Sequence, residues 1–241
     1  DETPLINLEE GAVACENALL EHYAFFGHVR KLSHKTLHVR LYAVKRLHLE
    51  NGVNIDMSSM HRLKTVQRGL RNLQGASKRK LAVTTAMLMD IHDHANLDGS
   101  NWDDVLAFTA ILVGFFFLLR SVEYLRTEHG VDPKKCIKNQ HVSYFSNGVL
   151  IAGDSNTPAT RVVILVPFSK TDAEGVGVEL EIDIDSSNPL CPVKALNRLR
   201  AIRPQRFSAA RSECHAFTLS NGRVLDKGRI HSLLRGSAGR L

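Results

Sequence analysis

The stretch GFFFLLRSVEYL, residues 114–125, decides how this chain is read. Five large apolar residues run straight into Arg120, and Glu123 follows three positions later. The apolar run that this stretch ends, Val105 to Leu119, spans 15 residues and contains Thr109 and Gly114. A bilayer core takes roughly 20 apolar residues, and Asp103, Asp104 and Arg120 flank the run closely. The run therefore reads as a buried core helix and not as a membrane span. Ser100 and Asp103 offer a capping box at its start. Its pattern can continue past Arg120 to about Arg126, ahead of Gly130 and Pro133. An arginine near such a helix end is ordinarily a surface cation favoured by the helix dipole. The alternative is a cation that a rigid core helix aims into a site.

Working outward, the 241 residues suffice for one large domain or two smaller ones. Composition is that of a globular protein, 44% apolar and 23% charged, with no low-complexity tract. The start, DETPLINLEEG, is acidic and polar and does not read as a signal peptide. Cys15, Cys136, Cys191 and Cys214 are widely spaced and form no CxxC, as in a reduced, intracellular protein. The net charge of +6 is unevenly spread. Residues 28–80 hold 13 Lys/Arg against Glu50 and Asp56. Residues 196–241 hold 10 Lys/Arg against Glu213 and Asp226, and the middle is acidic. Basic blocks are the footprint of polyanion binding, because phosphate contacts release counterions. A solvated helix surface is the plainer alternative for either block alone.

The first half reads as helices. Leu19, Leu20, Tyr23 and Phe26 suggest one amphipathic segment. In SHKTLHVRLYAVKRLHLENG, Ser33 can N-cap and Gly52 can end a helix with Leu37, Leu41, Val44 and Leu47 inside. Its other face carries Lys35, His38, Arg40, Lys45 and Arg46. SSMHRLKTVQRGLRNLQG repeats the design, with Leu63, Val66, Leu70 and Leu73 inside and Arg62, Lys64, Arg68 and Arg71 outside. The polar stretch GASKRK, with Lys78, Arg79 and Lys80, is the candidate linker between a first domain over 1–78 and a second over 79–241. A helix follows around Thr84–Ala95.

From Ile137 the texture changes. HVSYFSNGVLIAG signals a hairpin around Asn147-Gly148. TRVVILVPF and VGVELEIDID are two more strands, joined by SKTDAEG. Pro192 suits a first helical position, with Val193, Leu196 and Leu199 on one face. A short strand, HAFTL, precedes a second Asn-Gly at 221–222, and a last helix from about Asp226 buries Ile230, Leu233 and Leu234. The expected fold is mainly α with a small antiparallel sheet of three or four strands: a helical N-terminal DNA-binding domain, then an α+β domain.

These residues together resemble the tyrosine recombinase (phage integrase) family, of the eukaryotic mobile-element kind. LLRSVEYLR is similar to that family's first-arginine box, Arg-x-x-Glu-Leu, with Tyr124 in place of the leucine. FSKTD is similar to its β-hairpin lysine. SHKTLHVRLYAVKRLH and KRKLAVTTAMLMDI are similar to its core-binding helix and the start of its catalytic domain. The resemblance implies strand breakage and rejoining through a 3′-phosphotyrosine, without ATP, metal or other cofactor. Arg120 would clamp the phosphate, Lys170 would protonate the leaving 5′-oxygen, and Glu123 would support the site. Lys35, Arg40, Lys45, Arg46, Arg62, Lys64, Arg68, Arg71, Lys78, Arg79 and Lys80 would meet duplex DNA. The same likeness allows self-association on DNA and, in a eukaryote, a nuclear location, while the absence of a membrane partner and the intracellular location rest on the short apolar run and the free cysteines above.

The family also uses a His-x-x-Arg box, a further His or Trp, and a tyrosine nucleophile, all towards the C-terminus. None of the twelve histidines has Arg three positions on; the nearest pattern is His231 to Arg235. The tyrosines are Tyr23, Tyr42, Tyr124 and Tyr144, so the last 97 residues contain none. The expectation is therefore a C-terminally truncated recombinase that binds DNA without cutting it, or a DNA-binding or interaction module derived from one. Nothing near Cys214 or Ser220 in sequence forms a general-base arrangement for a nucleophile. His92 and His94, two apart on a helix, point about 200° from each other and do not suggest a metal site. GVGVELEIDID lacks the strand-to-helix context of a phosphate loop, so no nucleotide cofactor is expected.

Overall fold

A computed structural model describes residues 11–75, 82–168 and 176–241, with side chains from Val13 onward. The expected boundary at 78/79, the three cations Lys78, Arg79 and Lys80, and Lys170 lie outside the described residues. The chain divides into two compact units, Asp1–Leu81 and Ala82–Leu241. It is mainly helical with one small antiparallel sheet.

The first unit is built from α1 (Gly11–Ala24), α2 (His34–Glu50) and α3 (His61–Gln74), with a π-helical turn over Phe25–Val29. Cys15, Leu19 and Tyr23 recur every four residues on α1 and pack against Leu37, Leu41, Ile55, Met60 and Leu63. Side chains tie the helix ends. Ser33 accepts from the Thr36 N–H at the start of α2. Glu16 of α1 accepts from the Leu63 N–H and so caps α3, whose own N-cap residue is Met60. Gln74 at the end of α3 accepts from the His34 N–H and donates to the Leu32 carbonyl, which seats the start of α2 against the end of α3.

Three expected core positions are wrong. Leu47, Val66 and Leu73 are exposed, Leu73 by 86%. At about 100° per residue, Leu47 and Leu73 sit about 80° off the stripes set by Leu37 and Leu63. His48 lies only about 20° off the α2 stripe and takes the buried place, with its Nδ1 2.8 Å from the Val44 carbonyl.

The second unit is organised around α5 (Trp102–Phe116), in which every residue from Val105 to Val113 is buried. A helix apolar all round must be enclosed. Its neighbours are α4 (Thr85–His94), α7 (Pro192–Ile202) and α8 (Lys227–Ala238), and the four-residue α6 (Ser121–Tyr124) follows it. The N-cap of α5 is Asn101, which accepts from the Asp103 N–H at 3.0 Å, in place of the expected Ser100–Asp103 box. Pro192 begins α7, and Val193, Leu196 and Leu199 are buried. On α8 only Ile230 of the expected three is fully buried; Leu233 and Leu234 are partly covered.

The sheet consists of β1 (Val142–Ser146), β2 (Val149–Ile151), β3 (Arg161–Val166) and β4 (Val178–Asp183), in the order β2-β1-β3-β4, antiparallel throughout. Asn147 and Gly148, at φ +49° and +82°, make the two-residue turn between β1 and β2. Both central residues of a type I′ turn need positive φ, which explains Asn-Gly at this point. Val162, Ile164 and Val166 alternate into the core from β3. HAFTL is not a strand: it forms isolated bridges at His215 and Thr218 only.

Candidate functional site

Arg120 does not lie inside the long helix. Helix α5 stops at Phe116, and the chain reverses through Leu118, whose φ is +54°. The Leu119 N–H bonds the Gly114 carbonyl at 3.0 Å and the Leu118 N–H bonds that of Phe115 at 3.4 Å. This is the Schellman closure, built here on leucine in place of the usual glycine. A leucine in the left-handed region is uncommon, which is why the sequence pattern carries the helix too far. Arg120 then starts α6 in an extended conformation (φ −76°, ψ 145°).

Glu123 brackets Arg120 twice. Its Oε2 accepts from the Arg120 backbone N–H at 2.7 Å, and its Oε1 accepts from Nη1 at 3.1 Å. The Glu123 N–H returns a bond to the Arg120 carbonyl at 2.8 Å. The carboxylate side chain is 6% exposed and the arginine side chain 58%. One charge is therefore held inside, and the other is fixed by it with donors left towards solvent. A buried carboxylate needs a partner of this kind. The expected pairing of Arg120 with Glu123 thus exists, at the start of a new helical turn and not along a continuous one.

Tyr124, next in the chain, is buried. Its ring packs edge-on to Phe217 with centroids 5.8 Å apart. Burial, and secondarily the Glu123 charge, pushes its phenol up to about 12. A Cβ at Gly114 would overlap the Tyr124 hydroxyl and come within 2.6 Å of Cζ. Gly114 is thus the space into which Tyr124 fits. Tyr23 and Tyr144 are buried as well, so among the tyrosines only Tyr42 is largely exposed.

The basic residues of the first unit fall into two groups. Arg46 pairs with Glu50 at 2.8 Å, Arg62 donates to Asn17, Lys64 donates to the Ser58 carbonyl, and Arg40 stacks over Phe26 at 4.6 Å. Lys45, half-buried, lies close enough to Asp56 to favour that carboxylate's charge. Lys35, Arg68 and Arg71 are exposed, and no carboxylate pairs with them among the described residues. Arg68 and Arg71, three apart, share a face of α3. The Gln74 contacts to His34 and Leu32 bring Lys35 to the same end of the unit as Arg71.

A third basic cluster was not singled out from sequence. Arg203, Arg206 and Arg211 line a cavity of about 680 Å³ in the second unit, with Trp102 and His215. The only sequence signal was the excess positive charge of residues 196–241. Cys214 also lines this cavity, and Ser220 Oγ lies 3.0 Å from Asp103 Oδ2. His92 and His94 bond Asp93 and the Asp90 carbonyl respectively. No group of three or more metal-type side chains gathers among the described residues. No described helix is long and apolar enough to cross a membrane. No protein-family model matches the chain, and no curated protein matches it in sequence.

Proposed function

We propose that this chain is a DNA-binding protein of the tyrosine recombinase type, whose complete reaction is DNA strand breakage and rejoining. The observation that carries the proposal is the set Lys35, Arg68 and Arg71: exposed cations of a small bundle, Arg68 and Arg71 on one face of α3 and Lys35 at the same end as Arg71, with no carboxylate paired to them among the described residues. Such cations bind phosphates with release of counterions. Arg120, preset by Glu123 and open to solvent, is the phosphate clamp of this reading, and Lys170 is its general acid. A guanidinium fixed before the charge develops stabilises a phosphorane better than a mobile one. With no His-x-x-Arg box in the sequence, Tyr23, Tyr124 and Tyr144 buried, and the exposed Tyr42 on a helix of the first unit, this chain by itself binds DNA without cutting it in this reading. That burial equally suits the second reading, a non-catalytic DNA-binding module of the same descent.

The test is fluorescence anisotropy with a labelled duplex from 50 to 300 mM salt. Affinity should fall steeply, with a log–log slope of about −0.9 per phosphate contact. The triple change Lys35→Gln, Arg68→Gln and Arg71→Gln should weaken binding to all sequences alike and flatten that slope by up to about three. An affinity indifferent to salt, or unchanged in the triple variant, would refute the proposal.

A further inference from the structure

The cavity beside Trp102 belongs to neither Arg120 nor the basic helices of the first unit. Trp102 opens α5, and its indole Nε1 donates to the Thr218 carbonyl at 3.1 Å, which fixes the ring. Two guanidiniums stack on that one indole, Arg203 at 5.0 Å and Arg206 at 5.2 Å from its centre. Cation–π contact explains how each is held, but it leaves both charges unneutralised. Arg206 is further anchored through Nη1 to the Thr218 and Leu219 carbonyls, each at 3.2 Å. The guanidinium of Arg203 makes no hydrogen bond among the described residues, and neither does that of Arg211 across the cavity.

The carboxylates nearby are already engaged. Asp103 accepts from the Ser220 N–H and hydroxyl at 2.7 and 3.0 Å. Glu213 is bound by Lys138 at 2.6 Å. Burial, then the charges of Arg203 and Arg211, pull the Arg206 guanidinium below its usual range against the smaller opposing charge of Asp103, so the three cations repel one another and one carboxylate offsets them only in part. His215 adds to the same lining a buried Nδ1 with no hydrogen-bond partner among the described residues. Like charges gathered around a concave space, with donors free, are arranged for an anion.

We propose that this cavity is a phosphate-binding pocket, in which Arg203 and Arg211 grip the anion and Arg206 and Trp102 hold the frame. Planar guanidinium forks match phosphate oxygens in pairs. A volume of about 680 Å³ is within the range of small-ligand sites and exceeds the needs of a single phosphate ion. The ligand is therefore larger than a single phosphate ion, with anionic oxygens for Arg203 and Arg211 to grip. Two sources carry that chemistry: a free polyphosphate, or the phosphodiester backbone of a nucleic acid.

The experiment uses the full chain with two probes at low salt, sodium pyrophosphate by calorimetry and a labelled duplex by anisotropy. The variants are Arg203→Gln with Arg211→Gln, the exposed Arg211→Gln alone as a change that does not touch the indole stack, and Arg235→Gln on α8 as a cation outside the cavity. Pyrophosphate affinity should fall at least tenfold in the double variant, several-fold in Arg211→Gln, and not in Arg235→Gln. If pyrophosphate does not bind but the duplex loses tenfold in the same variants, the pocket serves a phosphodiester. If the variants bind both probes as the parent does, or Arg235→Gln loses as much, the pocket proposal fails. That failure leaves the reading of Lys35, Arg68 and Arg71 intact, because their triple variant is measured separately.

Discussion

Replacing Gly114 with Ala tests the packing that places the Arg120 site. Helix propensity alone says this change should help, by about 1 kcal/mol, because Gly is the costlier residue in a helix interior. The geometry says otherwise. The added methyl would lie 2.6 Å from Tyr124 Cζ and overlap its hydroxyl, and Tyr124 is buried between α5 and Phe217. Either the ring or the last turn of α5 must move, and overpacking of this kind costs about 1–3 kcal/mol. Because the overlap falls on a buried ring joined to a short helix, the upper part of that range applies. The net loss should be about 1–2 kcal/mol after the propensity gain. Urea denaturation of the parent, Gly114→Ala, Tyr124→Leu and the double variant measures it. Tyr124→Leu installs the residue of the Arg-x-x-Glu-Leu pattern and frees the space next to Gly114. The double variant should then be more stable than the two single losses predict by at least about 1 kcal/mol. A neutral or stabilising Gly114→Ala, or strict additivity, would refute the claim that this glycine exists to admit this tyrosine.

Two other outcomes follow from neighbouring geometry. Leu118, 87% exposed at φ +54°, carries left-handed strain with little buried surface in return, so Leu118→Gly should raise stability by about 0.5–1 kcal/mol in the same urea assay; a loss of stability would mean that the leucine side chain packs on something. Asp90 is held down to about 2, chiefly by its hydrogen bonds from Arg240, helped by the nearby Ser237 hydroxyl and the Arg240 charge, and it ties α4 to α8. A carboxylate depressed in the folded state stabilises it above its ordinary range near 3.8 and loses that effect as pH falls towards 2. Stability should therefore decline between about pH 4 and 2, and Arg240→Gln should lower the stability plateau above pH 5 and flatten that decline.

Much of the fold was legible because its signals are local and redundant. Ser33, Asn147-Gly148 and Pro192 each state one backbone conformation, and each of those elements stands where the residues indicate. The enclosure of α5 follows from its composition alone. What could not be read is what depends on partners distant in sequence. The α3 cap comes from Glu16 and not from residue 60. His48 is buried although histidine counts as polar, since helical phase and not residue type decides which face is covered. HAFTL has strand residues, but each end finds only one bridge partner, so no ladder forms. Arg203 and Arg206 share one short helical turn, but the indole on which both stack is Trp102, about a hundred residues earlier in the chain.

The stretch GFFFLLRSVEYL illustrates why a contact between two residues can be read correctly from sequence while its scaffold is drawn wrongly. Residues three apart meet on a helix, and that spacing alone puts Glu123 within reach of Arg120. The same two residues also meet when the first precedes a helical turn and the second is its third residue, because the acidic side chain then reaches back to the N-terminal N–H. The chain uses the second arrangement, and the choice has a chemical consequence. Within a continuous helix the Arg120 backbone N–H would be spent on the carbonyl four residues before it, and Glu123 could grip the guanidinium alone. At the head of α6 the carboxylate binds backbone and guanidinium of one residue at once, at 2.7 and 3.1 Å. That double hold fixes the root and the tip of the side chain together. The left-handed turn at Leu118 and the hollow at Gly114 are what make room for it, since the first ends α5 before Arg120 and the second lets Tyr124 anchor the new turn against the core.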